Sequence, residues 1–248
     1  VSIADKIIHT GDTNTAIRFA DADTITAETG GSERVRITSA GNVGVGDNSP
    51  DVRLHVTETI DVAYTLANVV TEANNLVKIE NPSTTANAFS GMQLRTGNGA
   101  DMFVGLIQQS ANAGDLYVVN QNTPNKELVR IKSTGLVGIG TDNPASELHV
   151  MESKSGGSSH ASSQLTLERD GTNYLQFMTA NNGTSGILFG DVADNDGTKI
   201  KYDHNTTNML FETEAAERLR ITTSGVEVTG LTSTTSFSVG PGLIQEKS

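Results

Sequence analysis

Asp191, Asp194, Asp196 and Asp203 crowd one short stretch around Asp194-Asn195-Asp196-Gly197 and offer the carboxylate oxygens that calcium takes. A twelve-residue calcium loop needs ligands at alternate positions and a closing Glu; here Val192 breaks the alternation and no Glu closes the run. A hairpin turn built on Asp-Gly is the simpler reading, with Asp194 and Asp196 kept as weak metal candidates. His55 and His149 form the other weak candidate pair, since both stand in a Leu-His-Val setting. Three copies of one such His about a threefold axis could hold a metal ion through neutral imidazole. Alternation along a strand sends the His to the face opposite Leu and Val, so a partly exposed strand His is the expectation.

Gly44-Val45-Gly46 and Gly138-Ile139-Gly140 look like the opening of a dinucleotide fingerprint. That motif also needs a third Gly, a helix whose N-terminus meets the pyrophosphate, and an acidic residue about 20 positions on. Asp47-Asn48-Ser49-Pro50 follows instead, which is a turn, so close strand packing is expected and no cofactor. The sequence contains no His-Glu-x-x-His, no Gly-x-Ser-x-Gly and no phosphate loop ending in Gly-Lys-Ser/Thr. A paired Asp/Glu glycosidase site between subunits stays as an alternative, but acids in an acidic chain mostly form a solvated face. The expectation is a protein that is not an enzyme.

The elements that carry these residues repeat. Glu33 to Val56 recurs as Glu127 to Val150, each residue 94 positions after its counterpart, Arg36 to Arg130 and His55 to His149 alike. Glu33, Arg36, Ile37, Gly41, Gly44 and Gly46 match Glu127, Arg130, Ile131, Gly135, Gly138 and Gly140. A third, partial copy runs through Glu217, Arg220, Ile221 and Gly225 and then departs, with Val226-Glu227-Val228-Thr229 in place of the Gly-x-Gly core. Self-similarity on this scale marks an array of like modules. Val35 and Ile37 alternate with Arg34 and Arg36, the period of a strand with one buried and one wet face. Gly41 and Gly135 close a tight reversal, Val43 and Val45 share a face with Gly on the other, and Pro50 and Pro144 end the pairing before Leu54 and Leu148 open the next strand. The recurring Glu/Arg pairs are assigned to cross-strand or inter-subunit pairing.

Composition points the same way. Of the 248 residues, 35% are hydrophobic and 4% aromatic, with no Trp, which is too little bulk to fill a thick core. Thin modules closed by neighbours or other subunits are expected. The absence of Cys removes disulfides and thiolate metal sites. The net charge of −12, tripled in a trimer, argues against nucleic acid and anionic membrane as partners, and no apolar run is long enough for membrane insertion as a helix.

Taken in order, residues 1–58 form an N-terminal β module with strands at Ala16 to Ala20 and Thr24 to Thr26, ending in the first repeat. Residues 59–153 form a central module with strands at Leu76 to Ile79, Gly91 to Leu94, Met102 to Ile107 and Leu116 to Val119, ending in the second. Within it, Ile60 to Asn75 leans to strand over helix. Residues 154–248 open on a small, polar linker, Lys154 to Ser163. Strands follow at Leu165 to Leu167, Tyr174 to Phe177, Gly186 to Gly190, Lys199 to Tyr202 and Met209 to Phe211, then the third repeat and a strand-like tail with Phe237 and Val239. Val1 in place of Met points to a processed or trimmed chain, and the tail to further chain after Ser248. Exposed loops around Asn112 to Asp115 and Asn181 to Ser185 are candidates for ligand contact.

The pattern Glu-Arg-x-Arg-Ile, Gly-Asn/Leu-Val-Gly-Val/Ile-Gly and Leu-His-Val, with Gly197 to His204 and Met209 to Thr213 ahead of the third copy, resembles tail-fibre and related fibrous proteins of tailed bacteriophages, including those of marine cyanobacterial phages. In that family such modules often precede an endosialidase-type intramolecular chaperone. The resemblance implies an all-β elongated array of antiparallel modules, β-prism or β-sandwich, in an intertwined homotrimer. It further implies a virion location, other virion or tail proteins as partners, and a host surface glycan or protein receptor. The third repeat lacks the Gly-x-Gly continuation, and no chaperone-like sequence is present. The alternatives are a fibre-borne polysaccharide depolymerase, a bacterial surface adhesin, and a fibre attached to the capsid or neck.

Overall fold

The computed structural model describes residues 3, 5–63, 65, 71, 75–97, 99, 101–121 and 126–229. Strand is the only regular secondary structure among them, and it falls into three sheets. The first is ordered β1 (Lys6–His9), β2 (Asp12–Asp21), β3 (Thr24–Thr29), β4 (Ser32–Ile37), β5 (Val43–Val45) and β6 (Leu54–Val56). The second runs from β7 (Phe89–Arg95) through β8 (Asp101–Ser110), β9 (Ala113–Asn120), β10 (Lys126–Ile131) and β11 (Val137–Ile139) to β12 (Leu148–Met151) and β13 (Leu165–Glu168). The third contains β14 (Thr184–Phe189), β15 (Thr198–Asp203), β16 (Asn208–Thr213), β17 (Ala216–Thr222) and β18 (Gly225–Val228). Each sheet keeps strict sequence order, as short turns between alternating strands dictate. Residues 1–151 with 158–166 make one compact unit and 152–157 with 167–248 another.

The repeat expected from the sequence is a mixed unit rather than an antiparallel one. β4 pairs antiparallel with β5, but β5 pairs parallel with β6, Val43 opposite Leu54 and Val45 opposite Val56. The second copy repeats this, Val137 opposite Leu148 and Ile139 opposite Val150. Parallel neighbours usually need a long crossover. Here strands of three or four residues let loops 46–53 and 140–147 carry the chain back across the sheet face, and the glycines make room. A Cβ on Gly44 would stand 2.2 Å from the Asp47 carbonyl oxygen, and one on Gly138 would stand 2.3 Å from that of Thr141. Any side chain at either position would push the loop off the sheet. The third copy, with Val226 and Val228 in place of this core, forms the plain antiparallel β18.

Several expected strands differ. Leu76 to Ile79 and Tyr174 to Phe177 have strand-like composition but no regular structure, and Leu76, Val77, Ile79, Tyr174 and Phe177 are all exposed. They find no strand partner within the described chain, and composition alone does not make a ladder. Leu165 to Leu167 becomes the edge strand β13 of the second sheet instead of opening the third module. β1 was missed because Ile7 and Ile8 are adjacent and break the alternation. Ile60 to Asn75 is irregular where described and otherwise lies outside the described residues, as does the tail with Phe237 and Val239.

Within each sheet, strand contacts run only between neighbours, so each is one layer thick. Among the described aliphatic and aromatic residues only Ala16, Tyr117 and Leu210 are buried. Buried polar residues are more numerous: Thr24, Thr26, Asp101, Asp115, Arg130, Thr141, Ser146, His149 and Asn208. That inverts the usual sorting of side chains.

Candidate functional site

The inversion follows from strand register. In the first sheet Ile7, Ile17, Ala27, Val35, Val45 and Val56 stand opposite one another in a single row across all six strands. A second row on the same face joins Ile25, Ile37, Val43 and Leu54. In the second sheet the equivalent row is Met92, Val104, Val118, Val129, Ile139 and Val150. In the third it is Ile187, Ile200, Phe211, Leu219 and Val228. These faces are open: Ile17 is 49% exposed, Met92 49% and Ile187 44%. Each large side chain left half in water forgoes on the order of 1 kcal/mol of burial, so three such faces are a large unspent driving force.

In the first two sheets the chain itself covers part of the opposite face. Loop 46–53 lays Pro50 over Gly44, and Pro50 is buried; Asn42 Nδ2 donates to the Pro50 carbonyl at 3.0 Å. In the second copy Thr141, Pro144 and Ser146 of the equivalent loop are buried.

The Glu/Arg pairs lie on the face opposite the apolar rows, and each is a fork within one strand where cross-strand pairing was expected. Arg36 forks onto Glu33 through Nε at 2.7 Å and Nη2 at 2.6 Å. Arg130 forks onto Glu127 at 2.6 and 2.7 Å, and Arg220 onto Glu217 at 2.9 and 2.5 Å. Residues three apart in a regular strand point to opposite faces. Here the register slips by one between Ala27 and Glu28, between Glu127 and Val129, and between Phe211 and Glu212, so a bulge returns Glu to the Arg side. The odd spacing of acid and base in an alternating strand was the sequence signal for it. Hydrogen bonding to the Glu raises the pKa of each Arg above its ordinary value. Arg130 also donates to Asp115 at 3.3 Å, whose other oxygen accepts the Ser133 amide at 2.9 Å. Ile37, Ile131 and Ile221 face the open side, and Gly41, Gly135 and Gly225 take positive φ in the turns that follow.

The weak metal candidates are not brought together. His55 and His149 pair with Gly44 and Gly138 in different sheets, on the covered faces. His55 is partly exposed, with Nδ1 2.6 Å from Asp47 Oδ2 and 3.3 Å from Asp51 Oδ1. His149 is 4% exposed, and its Nδ1 accepts the Ala145 amide at 3.3 Å. The same motif thus holds an ionisable contact in one copy and a structural imidazole in the other, because Thr141 and Ala145 stand where Asp47 and Asp51 do. Asp191 Oδ1 accepts the amides of Ala193 and Asp194, Asp194 accepts that of Asp196, and Asp196 pairs with Lys199 at 2.7 Å, an aspartate-stabilised turn. Among the described residues no three His, Asp or Glu are grouped to hold a metal ion.

Ser185 Oγ lies 3.1 Å from His204 Nε2, a pair the sequence reading did not single out. The ring of His204 meets Tyr202 edge-on, and among the described residues no carboxylate bonds to it, so the third member of a nucleophilic triad is missing. Among the described residues no helix is long and apolar enough to cross a membrane. No family model matches the chain, and no curated protein matches it.

Proposed function

We propose that this chain is a non-enzymatic structural fibre protein of a tailed-phage virion, which assembles with two further copies of itself and supports attachment to a host surface. The observation that carries the reading is the unspent apolar face on each of three single-layer sheets, two of which the chain has already covered in part on the other side. A chain with so little buried apolar surface gains its core when copies lay these faces together, and a threefold arrangement closes them without leaving a free side. The number three and the virion location come from the repeat's resemblance to phage fibres. Other virion proteins at one end and a host glycan or protein at the other are the partners such a fibre requires. Three binding points on one particle turn a weak contact into a durable one by effective concentration.

The test is the mass in solution by light scattering, at micromolar concentration and without added metal. A stable trimer is the expected result. A monomer with a cooperative thermal transition would overturn the reading, and a dimer would replace the three-sided assembly by a two-layer sandwich.

A further inference from the structure

The first and second sheets end differently. In the second, β12 is not the edge: β13 lies beside it, the Leu148 amide donating to the Gln164 carbonyl at 2.9 Å and the Glu152 amide to that of Glu168 at 3.1 Å. Donor and acceptor numbers rise together, so the two strands are parallel, and Leu165 and Leu167 fall beside Leu148 and Val150. In the first sheet β6, the counterpart of β12, is left as the edge. The Thr57 amide donates inward to the Val45 carbonyl at 3.0 Å, so the alternation of a ladder turns the amides of Leu54, Val56 and Glu58 outward. Such a row of unused backbone groups is a template for another strand.

The next apolar stretch of the chain fits that template. Val77-Lys78-Ile79-Glu80 repeats the pattern of Leu165-Thr166-Leu167-Glu168, and Pro82 follows where a strand must stop. Lys78 and Glu80 pair at 3.1 Å across two positions, the spacing of side chains on one face of an extended chain, which leaves Val77 and Ile79 to the other. Both are exposed. Residues 57–75 lead to this stretch, a longer connection than residues 152–164, which return β13 to β12, so reach is no obstacle. Asn75 and Leu76 already share a cleft with Val45, Val56 and Thr57 at the end of β6.

We propose that residues 76–80 close onto β6 of their own chain as a parallel seventh strand, and that the structure holds the open form. In the register of the second sheet the Leu54 amide donates to the Leu76 carbonyl and the Glu58 amide to that of Glu80. The Lys78 and Glu80 amides donate in return to the Leu54 and Val56 carbonyls. Val77 then stands beside Leu54 and Ile79 beside Val56, so each apolar row of the open face gains one member. A slip by one residue would put Lys78 into those rows, which fixes the register. Closed, β6 no longer offers an edge to strands of other molecules. The inference goes beyond the function proposed above and needs no particular number of copies.

The experiment is hydrogen exchange on the full chain, read at the amides of Leu54, Val56 and Glu58, for the parent, Lys78→Pro and Lys78→Ala. Lys78→Pro removes an amide that the docked strand gives to β6, and Lys78→Ala keeps it. Exchange is expected to be about tenfold slower in the parent and in Lys78→Ala than in Lys78→Pro. Fast exchange in the parent, or equal protection in Lys78→Pro, overturns the proposal. Because the chain has no Cys, the double variant Val56→Cys with Ile79→Cys reports which chain supplies the strand. Oxidised glutathione is expected to join the two within one chain, seen as a monomer on a denaturing gel and as a linked peptide pair by mass spectrometry. A bond between two chains overturns the proposal and assigns the edge to a second copy.

Discussion

Arg130 and Glu127 share one face of β10 although they stand three positions apart, because Leu128 is the extra residue of a bulge. The same device recurs at Arg34 and Arg218, and both of these bulged arginines reach back to the threonine that ends the preceding strand, Thr29 at 3.1 Å and Thr213 at 3.0 Å. A bulge thus fixes where each repeat's sheet bends and which side its strongest ion pair takes.

Of the three forks, only that of Arg130 is deeply buried and tied to a second acid, Asp115. Arg130→Ala leaves two carboxylates without their cation and is expected to cost about 3–5 kcal/mol, by urea denaturation. Arg220→Ala, in the more exposed fork of the third sheet, falls well short of that.

Gly138→Ala places a methyl group against the Thr141 carbonyl and is expected to cost about 2–3 kcal/mol. Gly135→Ala meets no atom, and its cost comes from backbone strain alone at φ of 94°. Chemical denaturation of the two variants side by side separates steric from conformational cost.

Glu214 and Ala215 both have positive φ in the β16–β17 turn, where the equivalent turn of the first sheet uses Gly30 and Gly31. Ala215→Gly is therefore expected to stabilise the protein, by about 0.5–1 kcal/mol, read as a raised melting temperature. A lower melting temperature would mean that the strain is not relieved there.

Acid should weaken the second compact unit. Glu217 is held below the ordinary Glu value of 4.5 by the Arg220 guanidinium. Asp191 is held below 3.8 by backbone amides, Asp196 by Lys199, and Asp203 by the Thr206 hydroxyl. A carboxylate whose folded pKa is depressed stabilises the fold above its unfolded pKa and loses that contribution as pH falls through the folded one. Melting temperature followed by circular dichroism is expected to hold from pH 7 to about 5 and to decline below about 4.5.

Ile17→Asp alters a half-exposed residue and is expected to leave the isolated fold almost unchanged, since substitutions at such sites cost about 0.5 kcal/mol or less. If copies meet through this face, it lowers the mass seen by light scattering. An unchanged mass would move the interface elsewhere.

The repeat, its turns and most strands were legible because alternation, Gly and Pro act locally. Val35 and Ile37 announce β4 in their own spacing, and Gly44 announces a close approach that the Asp47 carbonyl fulfils. The parallel pairing of β5 with β6 was not legible, since hydrophobic alternation is the same for either direction. Leu76 to Ile79 and Tyr174 to Phe177 misled for the opposite reason: their composition is that of a strand, but a ladder needs a partner.

The strict sequence order of strands in all three sheets sets the timing of folding. Within each sheet every strand after the first pairs with the one made just before it, so each sheet can close as the chain leaves the ribosome, without waiting for distant segments. Laying the apolar rows of separate copies together, the assembly proposed above, would then be a later event that depends on concentration. In the interval the newborn chain is hydrogen-bonded yet sticky, and crowding several nascent copies on one message would shorten its exposure.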